Sequence, residues 1–511
     1  MRYDLPNFRI DFRDWMKGNN LYDNYPTGGL KATAAGYNPF KYPGLLVAQP
    51  TRSETAITSG LARYPVIAWS AGSQDGYIDL TVVGRDADPN TLGNGVPYRV
   101  NGRTGAFIKA GGVFPAQTPS DILTSHGYRL GYSEMVESTS AAFISSDLDV
   151  AEIDPGELNT VNYSTADEDW FSSLSGGTLL RAGSPHPLAW FGEDLYVGDQ
   201  FELHQATGFG TTIVANQAVI TLPSRYTITS LEEHKGYLYI TATKFYELSN
   251  NFTGSLVQEQ TKIKTEVFIW DGFSESFLEN YPLPDQVTAM KTDEDGRLYM
   301  WTTKQFGYFN GLAFVPLKDL ENIVYRPHIC KVKNGLMYAD GMKAIRYGSI
   351  VPGGERKFYL HETFTKNISA LMCIIPDIMI VALDGGSGNA GINILYSSID
   401  SGTPGTTRSL DFNPRFTKVA VKVRHVVVET ADGLGASGVV TVKHNDANGV
   451  SKTDGTFTYT NAKMAAKRRW VFDVFDCDPT SEIQPVIEVA GSVKLKSVDY
   501  YYEQATDTNN S

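Results

Sequence analysis

The chain has 511 residues, enough for two or three domains and a sizeable buried core. Aromatics reach 12%, there are 48 Gly, and only 20% of residues are charged, which suits short strands and tight turns and argues against a helical protein. The net charge is −13 and lies wholly in residues 1–404, because 405–511 are neutral; such an acidic body is a poor ligand for nucleic acid, though acidity also serves solubility alone.

Residues 1–50 differ from the rest. Phe8-Arg-Ile-Asp-Phe-Arg-Asp-Trp15 alternates apolar and polar, as a strand does. Runs rich in Asn, Gly, Pro and Tyr follow, from Asn19 to Gly29 and from Gly36 to Gly44. Turn residues mixed with aromatics build no core alone but can lie along another surface. The segment reads either as an extended N-terminal arm, packed on its own propeller or on a neighbour, or as loops around a first blade. Its Phe8, Ile10, Phe12 and Trp15 are candidate subunit or partner contacts. The first residues show no apolar signal core, and no run approaches 18 apolar residues, so the expectation is assembly in a cytoplasm without a membrane span.

Residues 51–404 read as strand and turn throughout. A short phrase recurs in them: Gly or Asp, an apolar-Tyr pair, a bend, then two alternating apolar residues. Gly236-Tyr-Leu-Tyr239 is followed by Tyr246 and Leu248, Gly296-Arg-Leu-Tyr299 by Phe306 and Tyr308, and Gly335-Leu-Met-Tyr338 by Ile345 and Tyr347. Glu193-Asp-Leu-Tyr196, with Phe201 and Leu203, is a looser copy. Apolar stretches at Thr227–Leu231, Val287–Met290, Ile329–Val332 and Ile368–Leu371 fall in the same relation to successive repeats. A repeat near 40 residues made of short strands marks a β-propeller blade, and the length available predicts about six to eight blades. Residues 241–297, with Glu266-Val-Phe-Ile-Trp270, read as a larger insertion.

The propeller is expected to stop at the linker-like run Ser401–Thr407. Beyond it, strand patterns at Thr417–Val428, Gly438–Lys443, Gly455–Tyr459, Arg469–Phe475, Ile483–Val489 and Val493–Tyr502 predict a β-sandwich or jelly roll over 405–504, before a polar tail at 505–511. The fold class is therefore all-β. Lys463, Lys467, Arg468 and Arg469 form the one basic cluster, which would suit an acidic neighbour, a phosphate, or a solvated strand edge.

Motifs for chemistry are weak. Gly386-Ser-Gly-Asn-Ala-Gly391 matches a dinucleotide fingerprint as a string, but a strand pattern follows it where a helix is required, so it reads as a hairpin loop. Asp293-Glu-Asp-Gly296 lacks the downstream Glu of a calcium loop and reads as a turn. The eight histidines stand singly, in no metal-binding spacing, and Cys330, Cys373 and Cys477 are too scattered for a zinc site or a disulfide framework. No Gly-x-Ser-x-Gly elbow occurs. Neither a cofactor nor a metal is expected, nor are catalytic residues, although carboxylates from distant blades could still meet.

In layout the chain resembles the β-propeller hub or nozzle proteins in the tails of short-tailed bacteriophages, the packaged-DNA stabilisation proteins. An aromatic lead ending like Tyr42-Pro-Gly-Leu-Leu46, a propeller and a C-terminal β-domain closing like Val493–Tyr502 recur in that order. Within the propeller, Phe143-Ile-Ser-Ser-Asp-Leu148, then Leu188–Val197 and Glu202, are similar to family phrases. The resemblance implies a structural virion protein of the tail or neck, not an enzyme. It implies a homo-oligomeric ring, commonly sixfold, that extends the portal and adaptor channel, holds packaged DNA and conducts it at ejection without binding it specifically. Two other readings stay open: a glycan- or receptor-binding tail fibre protein, and a propeller glycosidase or depolymerase.

Overall fold

The computed structural model describes residues 170–181, 184–245, 262–332, 335–340, 343–350, 356–375 and 378–383 as continuous stretches. Outside these it describes the strands given below, the strands Asp79–Arg85, Gly95–Asn101, Phe107–Ala110, Ala142–Ser145 and Val150–Ile153, and a few residues beside them. The chain forms two compact units, one of residues 53–343 and 364–395, the other of 1–52, 344–363 and 396–511.

The larger unit is a propeller. Among the described residues its innermost strands are, for blades 1 to 7, Arg63–Ser70, Met135–Glu137, Leu188–Phe191, Tyr226–His234, Val287–Thr292, Ile329–Val332 and Ile368–Ile375. Each lies beside its neighbours in the series except at the fifth and sixth, where the 3-10 turn Arg326–His328 that leads into the sixth packs against the fifth and the seventh; the seventh lies beside the first, so the series closes on itself. Seven lies within the expected six to eight. Strands follow outward in sequence order, as in blade 5, where Val287–Thr292, Leu298–Thr302, Gln305–Phe309 and Phe314–Asp319 form one antiparallel sheet.

Packing between blades explains the repeated phrase. The second strand of a blade is covered on both faces, so Leu298–Thr302 is buried at every position, and a continuous apolar run replaces alternation. The four repeat tyrosines, Tyr196, Tyr239, Tyr299 and Tyr338, all sit on these second strands and are buried. A buried hydroxyl needs a partner, and the turn before the strand supplies one: the Tyr299 hydroxyl donates to Asp295 Oδ2 at 2.7 Å. In two copies the glycine, Gly236 or Gly296, lies in the turn itself. Lys235 and Gly236 have φ of 53° and 78°, the positive pair that a two-residue type I′ hairpin requires.

One expectation needs correction. Glu266-Val-Phe-Ile-Trp270 belongs to no insertion: Lys262–Trp270 is the third strand of blade 4, paired along Tyr237–Phe245 on one edge and Glu279–Leu283 on the other. Tyr246 and Leu248 lie outside the described residues. The last blade also takes its outer strand from elsewhere. Ser53–Ala56 pairs antiparallel with Gly391–Tyr396, so a strand that precedes blade 1 completes blade 7.

The second unit is a β-sandwich. Its six-stranded sheet holds Tyr37–Asn38, Leu46–Ala48, Lys494–Gln504, Val421–Thr430 and Arg469–Asp473 in that order, with Phe8–Phe12 also paired to Lys494–Gln504. Its five-stranded sheet runs Ala32–Thr33, Arg408–Phe412, Pro485–Ala490, Val439–Asn445, Ser451–Thr458. A side chain at Gly455 would meet the Phe472 ring at 2.9 Å, which places the two sheets face to face. Trp470, Phe472, Val440, Val442, Ile487 and Val489 fill the space between them. The hairpin of Ala344–Ile350 and Arg356–Thr363 also falls in this unit.

The described strands of the lead, Phe8–Phe12, Ala32–Thr33, Tyr37–Asn38 and Leu46–Ala48, pair within the sandwich and do not lie along the propeller. The described lead strands enter both sheets of the sandwich, because their free edges are met by C-terminal strands of matching alternation: Phe8 opposes Tyr502, Ile10 opposes Tyr500, and Phe12 opposes Val498.

Candidate functional site

Among the described residues, one group of acids and histidines comes close enough to bind an ion: Asp199, Glu202 and His204, with ligand atoms within 4.8 Å of one another. Blade 3 builds it from a tight hairpin. Asp194–Asp199 and Glu202–Thr207 pair with Asp199 opposite Glu202, and Gln200 takes the positive φ of 53° in the turn. Strand period 2 then puts Glu202 and His204 on one side. The segment before blade 3 adds Arg181 and His186.

The group is closed by its own hydrogen bonds. Arg181 Nη2 lies 2.5 Å from Glu202 Oε2, its Nη1 donates to the Asp199 carbonyl at 3.2 Å, and its backbone N–H donates to Asp199 Oδ1 at 3.0 Å. The guanidinium also stacks over Phe201, 4.9 Å from the ring centre. His204 Nδ1 accepts the Ala218 N–H at 3.0 Å, so its proton is on Nε2, directed at Asp199 Oδ2 3.5 Å away. His186 Nδ1 sits 3.1 Å from the Gly198 carbonyl and 3.7 Å from Asp199 Oδ1. Burial alone would raise the Asp199 carboxyl. The His204 hydrogen bond, the neighbouring His186 and the contacts from Arg181 outweigh it and hold the group below the usual carboxylate range.

This donor set does not fit a metal. A ligating imidazole needs a free nitrogen lone pair, and both His204 nitrogens are committed. The positive charge that a cation would bring is already supplied by Arg181. The cluster can tie the segment at 181–186 to blade 3; it presents no nucleophile paired with a base.

Other buried charges are likewise paired within the propeller. Glu232 accepts the Thr292 N–H at 2.8 Å and lies 3.2 Å from Arg326, whose Nη1 donates to the Leu231 carbonyl at 2.6 Å, so blades 4 and 5 and the turn before blade 6 share one ion pair. Asp340 pairs with Lys318 of blade 5. Glu266 in blade 4 accepts from Tyr226, from Asn280 at 2.7 Å and from Lys264 at 2.6 Å.

The residues singled out from the sequence fall in several places. Phe8, Ile10 and Phe12 are committed to the strand pairing with Lys494–Gln504. Lys467, Arg468 and Arg469 are exposed at the start of Arg469–Asp473. Trp15 and Lys463 lie outside the described residues, as do the loop at 386–390, the run at 401–407 and the tail at 505–511. Asp293–Gly296 is a turn, closed by the Gly296 N–H to the Asp293 carbonyl at 2.9 Å. Asp199 and its histidines were not assembled from the sequence. The available signal was the spacing Asp-x-x-Glu-x-His across a hairpin, with Arg181 too far upstream to be linked to it.

No family model matches the chain, and no curated protein does. Among solved structures, the chain is similar to "YCF48 bound to D1 peptide" at 11% identity and a TM-score of 0.39, over 73% of this chain and 99% of that one. It is similar also to the Neurospora crassa Pan2 WD40 domain at 8% identity and a TM-score of 0.38, over 67% of this chain and 95% of that one. The propeller itself rests on the strand register and the closed series of inner strands described above.

Proposed function

We propose that this protein is a non-catalytic structural component of a bacteriophage virion, a ring-forming tail hub or nozzle that extends the portal channel and conducts packaged DNA. The observation that carries this reading is the layout: a propeller with seven described blades lies in the chain between a lead segment and a C-terminal β-domain whose described strands share their sheets. Charge supports it as well. The propeller unit contains 21 Lys+Arg and 37 Asp+Glu, a net −16, and a wall of that sign would not retain DNA in passage. The paired state of Asp199, Glu232 and Glu266 fits a scaffold better than a hydrolase, which needs carboxylates held open to substrate.

The test is mass photometry and negative-stain imaging of the purified chain across concentration. The expected result is a homo-oligomeric ring, with sixfold symmetry in projection. A monomer at every concentration, or hydrolysis of a polysaccharide panel, would overturn the reading.

A further inference from the structure

The second unit differs in charge from the propeller: it contains 23 Lys+Arg and 20 Asp+Glu, a net +3. Five described basic residues gather at one end of the six-stranded sheet, where three strands run level. Glu429 pairs with Arg469 on one side and Ser497 on the other. The Thr430 N–H donates to the Arg468 carbonyl at 2.8 Å and the Ala431 N–H to the Lys494 carbonyl at 2.9 Å. The register thereby brings Lys467, Arg468, Arg469, Lys494 and Lys496 to one sheet end. Two described acids lie among them: Glu429 is 3.5 Å from Arg469 and 3.8 Å from Lys496, and Asp432 is 3.4 Å from Lys494. Among the described residues the patch holds five bases and two acids, with Lys467 and Arg468 both exposed. Val471 lies on the same side of its strand as Arg469 and is 49% exposed, an apolar spot beside the charge.

We propose that this patch docks onto a second copy of the chain, against the outer hairpin of blade 4 in that copy's propeller. The proposal rests on the ring reading above and names its contact. The hairpin offers the complement in both respects. Phe273 at its tip is 93% exposed and Leu278 is exposed beside it, while Glu275 and Glu279 are exposed between and after them. Asp271 Oδ1 accepts the N–H groups of Phe273 and Ser274 at 2.9 and 2.8 Å, so the tip is held in shape before any partner arrives. Base and valine on one copy meet acid and phenylalanine on the next. Opposite charges steer and orient the encounter, and the apolar residues lose water at its centre. Patch and hairpin are different surfaces, so the contact is heterologous, and its repetition closes a ring when the rotation per copy allows.

The experiment compares the full chain with Lys467→Glu/Arg468→Glu and with Val471→Asp, each checked for its fold by circular dichroism, using mass photometry at 50 and 500 mM NaCl. The expected result is a wild-type assembly that weakens at high salt, a loss of at least tenfold in affinity for the charge-reversed variant and for Val471→Asp, and recovery when Glu275→Lys/Glu279→Lys is added to the first. A charge-reversed variant that assembles like the wild type overturns this contact and leaves the ring reading standing. A wild-type chain that never assembles overturns both. Retention of a 30-base-pair DNA duplex by the wild type and not by the charge-reversed variant, without effect on assembly, would reassign the patch to phosphate.

Discussion

At the level of single residues, the propeller's buried charges decide how it responds to substitution and to acid. Asp199 holds Arg181, His186 and His204 together, so Asp199→Asn removes charge-assisted bonds from a buried site and should destabilise the protein by about 2 kcal/mol in urea unfolding. Because Arg181 stands where a cation would, added zinc should leave the melting temperature of the wild type unchanged, and a rise of several degrees would refute that assignment. His328 responds to pH. Burial pushes its imidazole down to about 4, and its Nδ1 accepts the Tyr325 N–H at 3.3 Å. The folded value lies below the unfolded one near 6.5, so the unfolded chain binds the extra proton. Stability is then complete above pH 6.5 and falls as pH drops toward 4, by on the order of 3 kcal/mol. Urea midpoints measured across that window should show the slope, and His328→Leu should flatten it even though it lowers stability throughout. These pairings were hard to read in the sequence for a physical reason. A lone histidine looks the same whether its partner is a carboxylate or water, and the partners of His204 are Asp199 across a hairpin and the Ala218 N–H on the next strand, while Asp199 draws its own from Arg181 and His186 upstream.

At the level of elements, the sequence was legible where a strand is buried on both faces and opens on a tight turn. Gly296-Arg-Leu-Tyr299 announces its blade because Leu298–Thr302 is buried along its whole length and is almost wholly apolar, and Gly296 takes φ of 71°. The third strand of blade 4 was misplaced because it follows an unusually long connection, from Phe245 to Lys262, which broke the period. In the sandwich, Gly455 carries a prediction. It lies in a strand, where glycine is ordinarily a weakness, because the Phe472 ring of the facing sheet occupies the space a side chain would fill. Gly455→Val should force the ring aside and cost about 1–3 kcal/mol, read from the denaturation midpoint. Phe472→Leu in the same chain should recover part of that loss, since it returns the volume. Without that recovery, the substitution would have to act through the strand's backbone instead.

For the whole molecule, the decisive fact is that the chain's beginning is used twice. Phe8–Phe12, Ala32–Thr33, Tyr37–Asn38 and Leu46–Ala48 are strands of the sandwich, and Ser53–Ala56 is the outer strand of blade 7. Neither role was visible beforehand, because pairing between strands some 340 or more residues apart leaves no local mark, and Ser-Glu-Thr-Ala has no apolar alternation. The consequence separates this architecture from an arm laid on a neighbour. An arm can be cut away at the cost of assembly alone. Deleting residues 1–56 here should strip edge strands from both sheets of the sandwich and leave the last blade with three strands and an open edge, the condition that favours wrong pairing and aggregation. The truncated chain should lose most of its soluble yield and its cooperative melt. A shorter deletion, 1–12, removes only the strand paired with Lys494–Gln504 and spares the propeller. It should therefore lower the stability of the sandwich while hydrogen exchange in the blade strands, such as Leu298–Thr302, stays as slow as in the full chain. If the chain lacking 1–56 melts like the full chain and differs only in its assembly, the lead is an arm after all, and the shared sheets are not what hold the two ends of the protein.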